Sequence, residues 1–69
     1  MEDIGIFGMI DFLVSDELGV SRDVYIDVID KKCTYWEAIY IVTVFYQQVE
    51  EKKDKAREIF YYRMNGGNN

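Results

Sequence analysis

Histidine and proline are both absent from this 69-residue chain, and Cys33 is its only thiol. Without histidine there is no Ser/His or Cys/His pair to activate a nucleophile. Nor can one thiol supply the Cys and His ligand sets of a structural zinc site. A lone cysteine also excludes an internal disulfide, and a reduced thiol fits an intracellular setting. Cations are scarce as well: net charge is −5, so the Lys and Arg that neutralise phosphates and supply most nucleic-acid affinity are in short supply. The longest unbroken apolar stretch, residues 38–42, falls far short of the roughly 20 residues that span a bilayer. Met1-Glu2-Asp3 opens the chain with acid where a secretory signal carries base. The expectations are no enzyme activity, no metal or cofactor, no membrane, nucleic acid disfavoured as a ligand, and a cytoplasmic location.

The sequence is rich in apolar residues, 49% hydrophobic and 16% aromatic, unlike an aromatic-poor disordered segment. It has room for one domain, read as 1–65 with a flexible 66–69 tail. A chain near this length hides only about 60% of the surface its unfolded form exposes. Small domains therefore lean on disulfides, a metal or oligomerisation, and with the first two gone oligomerisation remains.

Apolar spacing predicts an all-α fold of three helices, about 4–18, 21–31 and 34–64. In the first, Phe7, Ile10, Val14 and Leu18 recur at three- and four-residue steps, while Gly5 and Gly8 weaken its start. Gly19 supplies a left-handed stop and Ser21 a cap for the second helix. There Val20, Val24, Tyr25, Val28 and Ile29 share one face, although the β-branched content of 24–29 keeps a strand as the alternative. Thr34 and Glu37 have capping-box spacing. From Thr34 the chain runs 31 residues to Met64 without glycine, which predicts one long helix in two characters. Residues 35–46 are apolar on most sides, so Trp36 and Phe45 are expected in the core. Beyond Gln47 only a narrow stripe of Val49, Ala56, Ile59 and Phe60 remains. Because two short helices cannot cover that stripe, those four are the expected self-association residues, completing a small bundle by dimerisation. Lys52 and Arg63 interrupt the seam and favour a short bundle over a coiled coil.

Charge is divided unevenly. Residues 1–30 hold eight carboxylates against Arg22 alone, and residues 31–69 hold seven cations against five carboxylates. The acidic half is expected to lie against Lys52, Lys53, Lys55 and Arg57, within the chain or across copies. Asp23, Asp27 and Asp30 share a face but lack the spacing, central glycine and terminal glutamate of a calcium loop. They read as a solvated acidic face or, more sharply, as a phosphate mimic or a dock for a basic protein surface. Cys33 reads as a half-buried spacer; Lys31, Lys32 and a helix N-terminus are the only features that favour a reactive thiolate. Tyr61 and Tyr62 are adjacent, so both cannot face one core, and at least one is expected to be exposed or at a partner surface.

The segment from Val14 to Val28 resembles helix-turn-helix regulators. Ser15 stands four residues before Gly19, Leu18 and Val20 flank that glycine, and Val28 follows nine residues later. The resemblance implies DNA binding through the second helix, yet that helix presents Asp23, Asp27 and Asp30, the wrong sign for phosphates. The favoured reading is a small acidic protein-interaction module, a homodimer that binds an unidentified protein as adaptor, inhibitor or regulator. A helix-turn-helix-like DNA-binding regulator is the alternative.

Overall fold

Four α-helices and one π-turn make up the computed structural model, which describes residues 5–66, with side chains described from Asp11. Helix α1 (Gly5–Leu18) is followed by α2 (Arg22–Asp27), a π-turn (Val28–Lys32), α3 (Tyr35–Tyr46) and α4 (Glu50–Met64). No strand occurs among the described residues, so the strand alternative for 24–29 is overturned. The Phe7 and Ile10 part of the expected first-helix face, the tail beyond Gly66 and position 4 lie outside what is described.

The predicted start signals act as expected. Ser21 Oγ accepts from the Val24 N–H at 3.2 Å. Thr34 Oγ1 accepts from the Glu37 N–H, and Glu37 Oε1 accepts from the Thr34 N–H at 2.9 Å, a complete capping box. Gly19 has φ +74, and the N–H groups of Gly19 and Val20 donate back to the carbonyls of Asp16 and Ser15. That is the hydrogen-bond pattern of a left-handed helix stop, and glycine meets its positive φ without a Cβ clash.

The expected second helix is corrected in its last third. After Asp27 the backbone loosens into a π-turn, closed by the Cys33 N–H donating to the Val28 carbonyl at 2.9 Å. The larger correction is to the expected 34–64 helix, which breaks at Gln47-Gln48-Val49. Gln48 has φ +56, its N–H donates to the Phe45 carbonyl, and the Val49 N–H donates to the Val44 carbonyl. This repeats the Gly19 stop with a side chain at the left-handed position, a conformation that costs about 1–2 kcal/mol outside glycine. The Gln48 amide provides the compensation. Its Nε2 donates to Glu17 at 2.8 Å and to the Phe45 carbonyl at 2.6 Å, while its Oε1 accepts from Lys53 Nζ at 2.8 Å.

Breaking there lets α4 fold back along α3, which also packs on α1; α2 packs on α1, and the π-turn on α4. Nine side chains close the core: Val14 and Leu18 of α1, Tyr25, Val28, Ile41, Val44 and Phe45, and Ala56 and Phe60 of α4. Tyr25 and Phe60 stack with ring centroids 6.1 Å apart. The radius of gyration, 11.5 Å, is close to the roughly 11 Å expected of a compact chain this long.

Candidate protein-binding surface on α3

Helix α3 carries one charged residue in twelve, Glu37. A helix advances about 100° per residue, which sorts its apolar side chains onto two opposite faces. Ile41, Val44 and Phe45 point into the core and are buried. Tyr35, Trp36, Ile39, Thr43 and Tyr46 fall within an arc of about 100° on the other side, and all five are exposed. Trp36 is 75% exposed, Tyr35 70% and Tyr46 59%. The Tyr35 and Trp36 rings meet edge to face at 5.2 Å and 74°. The expectation of a core Trp36 is therefore corrected, whereas Phe45 is buried as expected. With α4 folded back, α3 is covered on its inner side alone.

An open groove of about 420 Å³ adjoins this face. Ile29, Asp30 and Cys33 line it on one side and Tyr35, Ala38, Ile39 and Val42 on the other. Burial pushes the Cys33 thiol above its ordinary pKa, and the Glu37 carboxylate adds to this. Lys31 and Lys32 do not reverse that direction, so the thiolate reading loses its physical basis and Cys33 is a lining residue.

Two polar ties brace the bundle around α3, one joining α3 to α4 and one joining α4 to α1. At the start of α3, Arg63 Nε donates to Glu37 Oε1 at 2.8 Å and a terminal guanidinium nitrogen donates to Oε2 at 2.9 Å. This two-pronged clamp is the main cause holding the Glu37 carboxyl below its ordinary pKa. Beyond its end, Lys53 Nζ lies 2.9 Å from both Glu17 Oε1 and Glu50 Oε2. Hydrogen bonds from Gln48 and then from Lys53 hold the Glu17 carboxyl low, while those to Glu50 and Glu17 raise the Lys53 pKa. The acidic half thus meets the basic helix through Lys53. Lys52 and Lys55 are exposed, and Arg57 pairs locally with Asp54 at 3.3 Å.

The other sequence-predicted residues scatter. Ala56 and Phe60 are fully buried inside the chain, while Val49 and Ile59 pack partly buried against the same core. The expected self-association stripe is thus spent within one copy. Tyr61 donates its hydroxyl to the Leu18 carbonyl and packs on the core, tying α4 to the end of α1. Tyr62 is the exposed member of that pair, with the Arg63 guanidinium 5.5 Å from its ring centre. Asp23 and Asp30 are exposed, and Asp27 is half-buried with Lys31 at 3.8 Å. Asp30 alone of the three reaches the groove.

Ser15 is buried and donates its hydroxyl to the Phe12 carbonyl, so the helix-turn-helix spacing does mark two helices joined at Gly19. A small cleft of about 160 Å³ lies between Lys31, Lys32, Arg63 and Gly66, with Arg63 committed to Glu37. Among the described residues no three carboxylate or thiol groups converge as a metal site, and no helix is long and apolar enough to cross a membrane. Compared with protein-family models, curated proteins and solved structures, the chain matches none.

Proposed function

We propose that this chain is a small non-enzymatic protein-interaction module that binds through the outer face of α3. The observation that carries the reading is the uncharged aromatic arc of Tyr35, Trp36 and Tyr46 left open on a helix whose opposite side fills the core. A helix apolar all round is normally surrounded, and Trp and Tyr dominate the energetic centres of protein interfaces. The Glu37–Arg63 ion pair anchors α3 to α4, and the opposite side of α3 is packed in the core, so little is left to order on binding. The adjoining groove widens the surface and adds Asp30 at its rim.

The test is to capture partners from the cells that make the protein, using wild type and the Trp36→Ala/Tyr46→Ala variant side by side. A protein held by the wild type and lost from the variant, and then bound again when both are purified, supports the reading. Equal capture by both, with the variant's helicity intact by circular dichroism, overturns it.

The DNA-binding alternative ranks second because its turn forms around Ser15 and Gly19. Against it, α2 is six residues long and exposes Asp23 beside Arg22. A duplex shift in low salt, abolished by Arg22→Ala, would reverse the ranking.

A further inference from the structure

The outer face of α3 has a symmetry that bears on what covers it. Trp36, Ile39, Thr43 and Tyr46 are spaced three, four and three residues apart, a coiled-coil seam pattern that reads the same in both directions about its midpoint at position 41. Two copies of α3 laid antiparallel across a two-fold axis at that midpoint set Trp36 against Tyr46 of the second copy. They also set Ile39 against Thr43 of the second copy, so a large ring meets a large ring at each end and two β-branched side chains meet at the centre. That is the self-complementarity an isologous interface requires.

Charge points the same way. Each copy carries −5, so two copies repel unless they meet where carboxylates are missing. Elsewhere the surface exposes Asp16, Asp23, Glu50, Glu51, Asp54 and Glu58, whereas the single carboxylate of α3, Glu37, is clamped by Arg63 and exposed Asp30 stands at the rim of the adjoining groove. The α3 seam itself carries no unclamped acid, and Asp30 borders it at the groove rim, so like-charged copies meet here with few opposing carboxylates.

Area sets the strength. A fully buried aromatic accounts for about 150–250 Å², so Trp36 and Tyr46 of the seam, with Ile39 and the flanking Tyr35, offer roughly 400–600 Å² per copy at their 43–75% exposure. That is below the ~800 Å² per partner of a standard stable interface. It marks a weak, concentration-dependent contact.

We infer that the chain forms an antiparallel two-fold dimer through the outer seam of α3, centred between Ile39 and Thr43. The inference rests on the interaction reading above and names its partner as a second copy.

Sedimentation across about one to several hundred micromolar should move the mass from the 8.2 kDa monomer toward twice that value. The emission of Trp36, the sole tryptophan, should shift to the blue over the same range. Added salt should strengthen the dimer by screening net repulsion. Ile39→Lys should remove it with helicity unchanged. In a Cys33→Ser background, mixed Ile39→Cys and Thr43→Cys chains should crosslink faster than either alone.

Faster crosslinking of Ile39→Cys with itself would mean parallel pairing and overturn the inference, as would a dimer indifferent to Ile39→Lys. A monomer throughout the range overturns it too. If in that case Ile39→Lys still abolishes capture of a different protein, the interaction reading survives without the dimer. If a dimer forms as described and Ile39→Lys leaves capture unchanged, the heterologous reading fails and the dimer stands.

Discussion

Helices α3 and α4 lie against each other and treat their surfaces in opposite ways. Helix α4 is mostly charged, yet its inner side folds into the chain, with Lys53, Ala56 and Phe60 buried and Ile59 partly buried beside them. Helix α3 is apolar almost throughout, yet it buries three residues and leaves Tyr35, Trp36, Ile39 and Tyr46 to solvent. A helix with one apolar stripe has a single way to pack, and folding consumes it. A helix that is apolar all round has more surface than a chain this small can cover, and the surplus becomes available for binding. Apolar content therefore marks the element with surplus surface here, while periodicity marks the one whose apolar stripe folding consumes.

The comparison breaks first, if it breaks, on truncation. Phe60→Ala removes a fully buried ring stacked on Tyr25 and should cost about 3–5 kcal/mol. A domain of this size holds only ~5 kcal/mol in total, so the variant should be largely unfolded by circular dichroism. Trp36→Ala, the same kind of change on the open face, should shift monomer stability by no more than about 0.5 kcal/mol in urea titrations at low concentration. Equal losses in the two would mean that the outer face of α3 is core.

The junction that lets α4 fold back is tested at Gln48. Both Gln48→Ala and Gln48→Gly lose the bridge to Glu17 and Lys53, but only glycine is relieved of the positive φ. The glycine variant should therefore be the more stable of the two by about 1 kcal/mol, read from denaturant midpoints. The reverse order would show that residue 48 is helical in solution.

Acid sharpens the comparison at the ties. Glu17 and Glu37 both have folded pKa values below their ordinary ones, so each stabilises the fold above its unfolded pKa, about 4.3. That contribution is lost as pH falls through the lower folded value. Thermal midpoints should hold from neutrality to about pH 5 and fall below it, and Glu37→Gln should flatten part of that decline. A profile unchanged by Glu37→Gln would mean that the Arg63 clamp does not form.

The smallest effect is expected at Tyr25, whose buried hydroxyl has no hydrogen-bond partner among the described residues and whose pKa burial raises. An unpaired buried hydroxyl is costly, so Tyr25→Phe should be neutral or stabilise by up to about 1 kcal/mol. A clear loss of stability would reveal a partner for that hydroxyl.

The helix boundaries set by local chemistry were legible in the sequence. Gly19, Ser21 and the Thr34–Glu37 box depend on neighbours within four residues, and each acts where its spacing places it. The change of character at Gln47 was legible as well, but its meaning was not. A left-handed glutamine is held by Glu17, 31 positions earlier, and by Lys53, so no local pattern announces it. The surplus apolar surface is foreseeable from chain length, yet spacing alone places it on Val49, Ala56, Ile59 and Phe60. That placement assumes an unbroken helix; once α4 turns back, those residues meet Tyr25 and the core, and the surplus moves to Trp36. Tyr61 was missed as a tie because its partner is the Leu18 carbonyl, a backbone group with no sequence signature.

The left-handed dihedral angle of one residue, Gln48, thus turns α4 back onto its own chain. Were Gln48 to take helical angles, residues 34–64 would run as a single rod of about 46 Å, carrying Phe60 out of reach of its own Tyr25 and toward the same site on a neighbour. A short, strained connection of this kind is where copies exchange elements. The amide of Gln48, by fastening Glu17 to Lys53, works as the latch that holds α4 against its own chain.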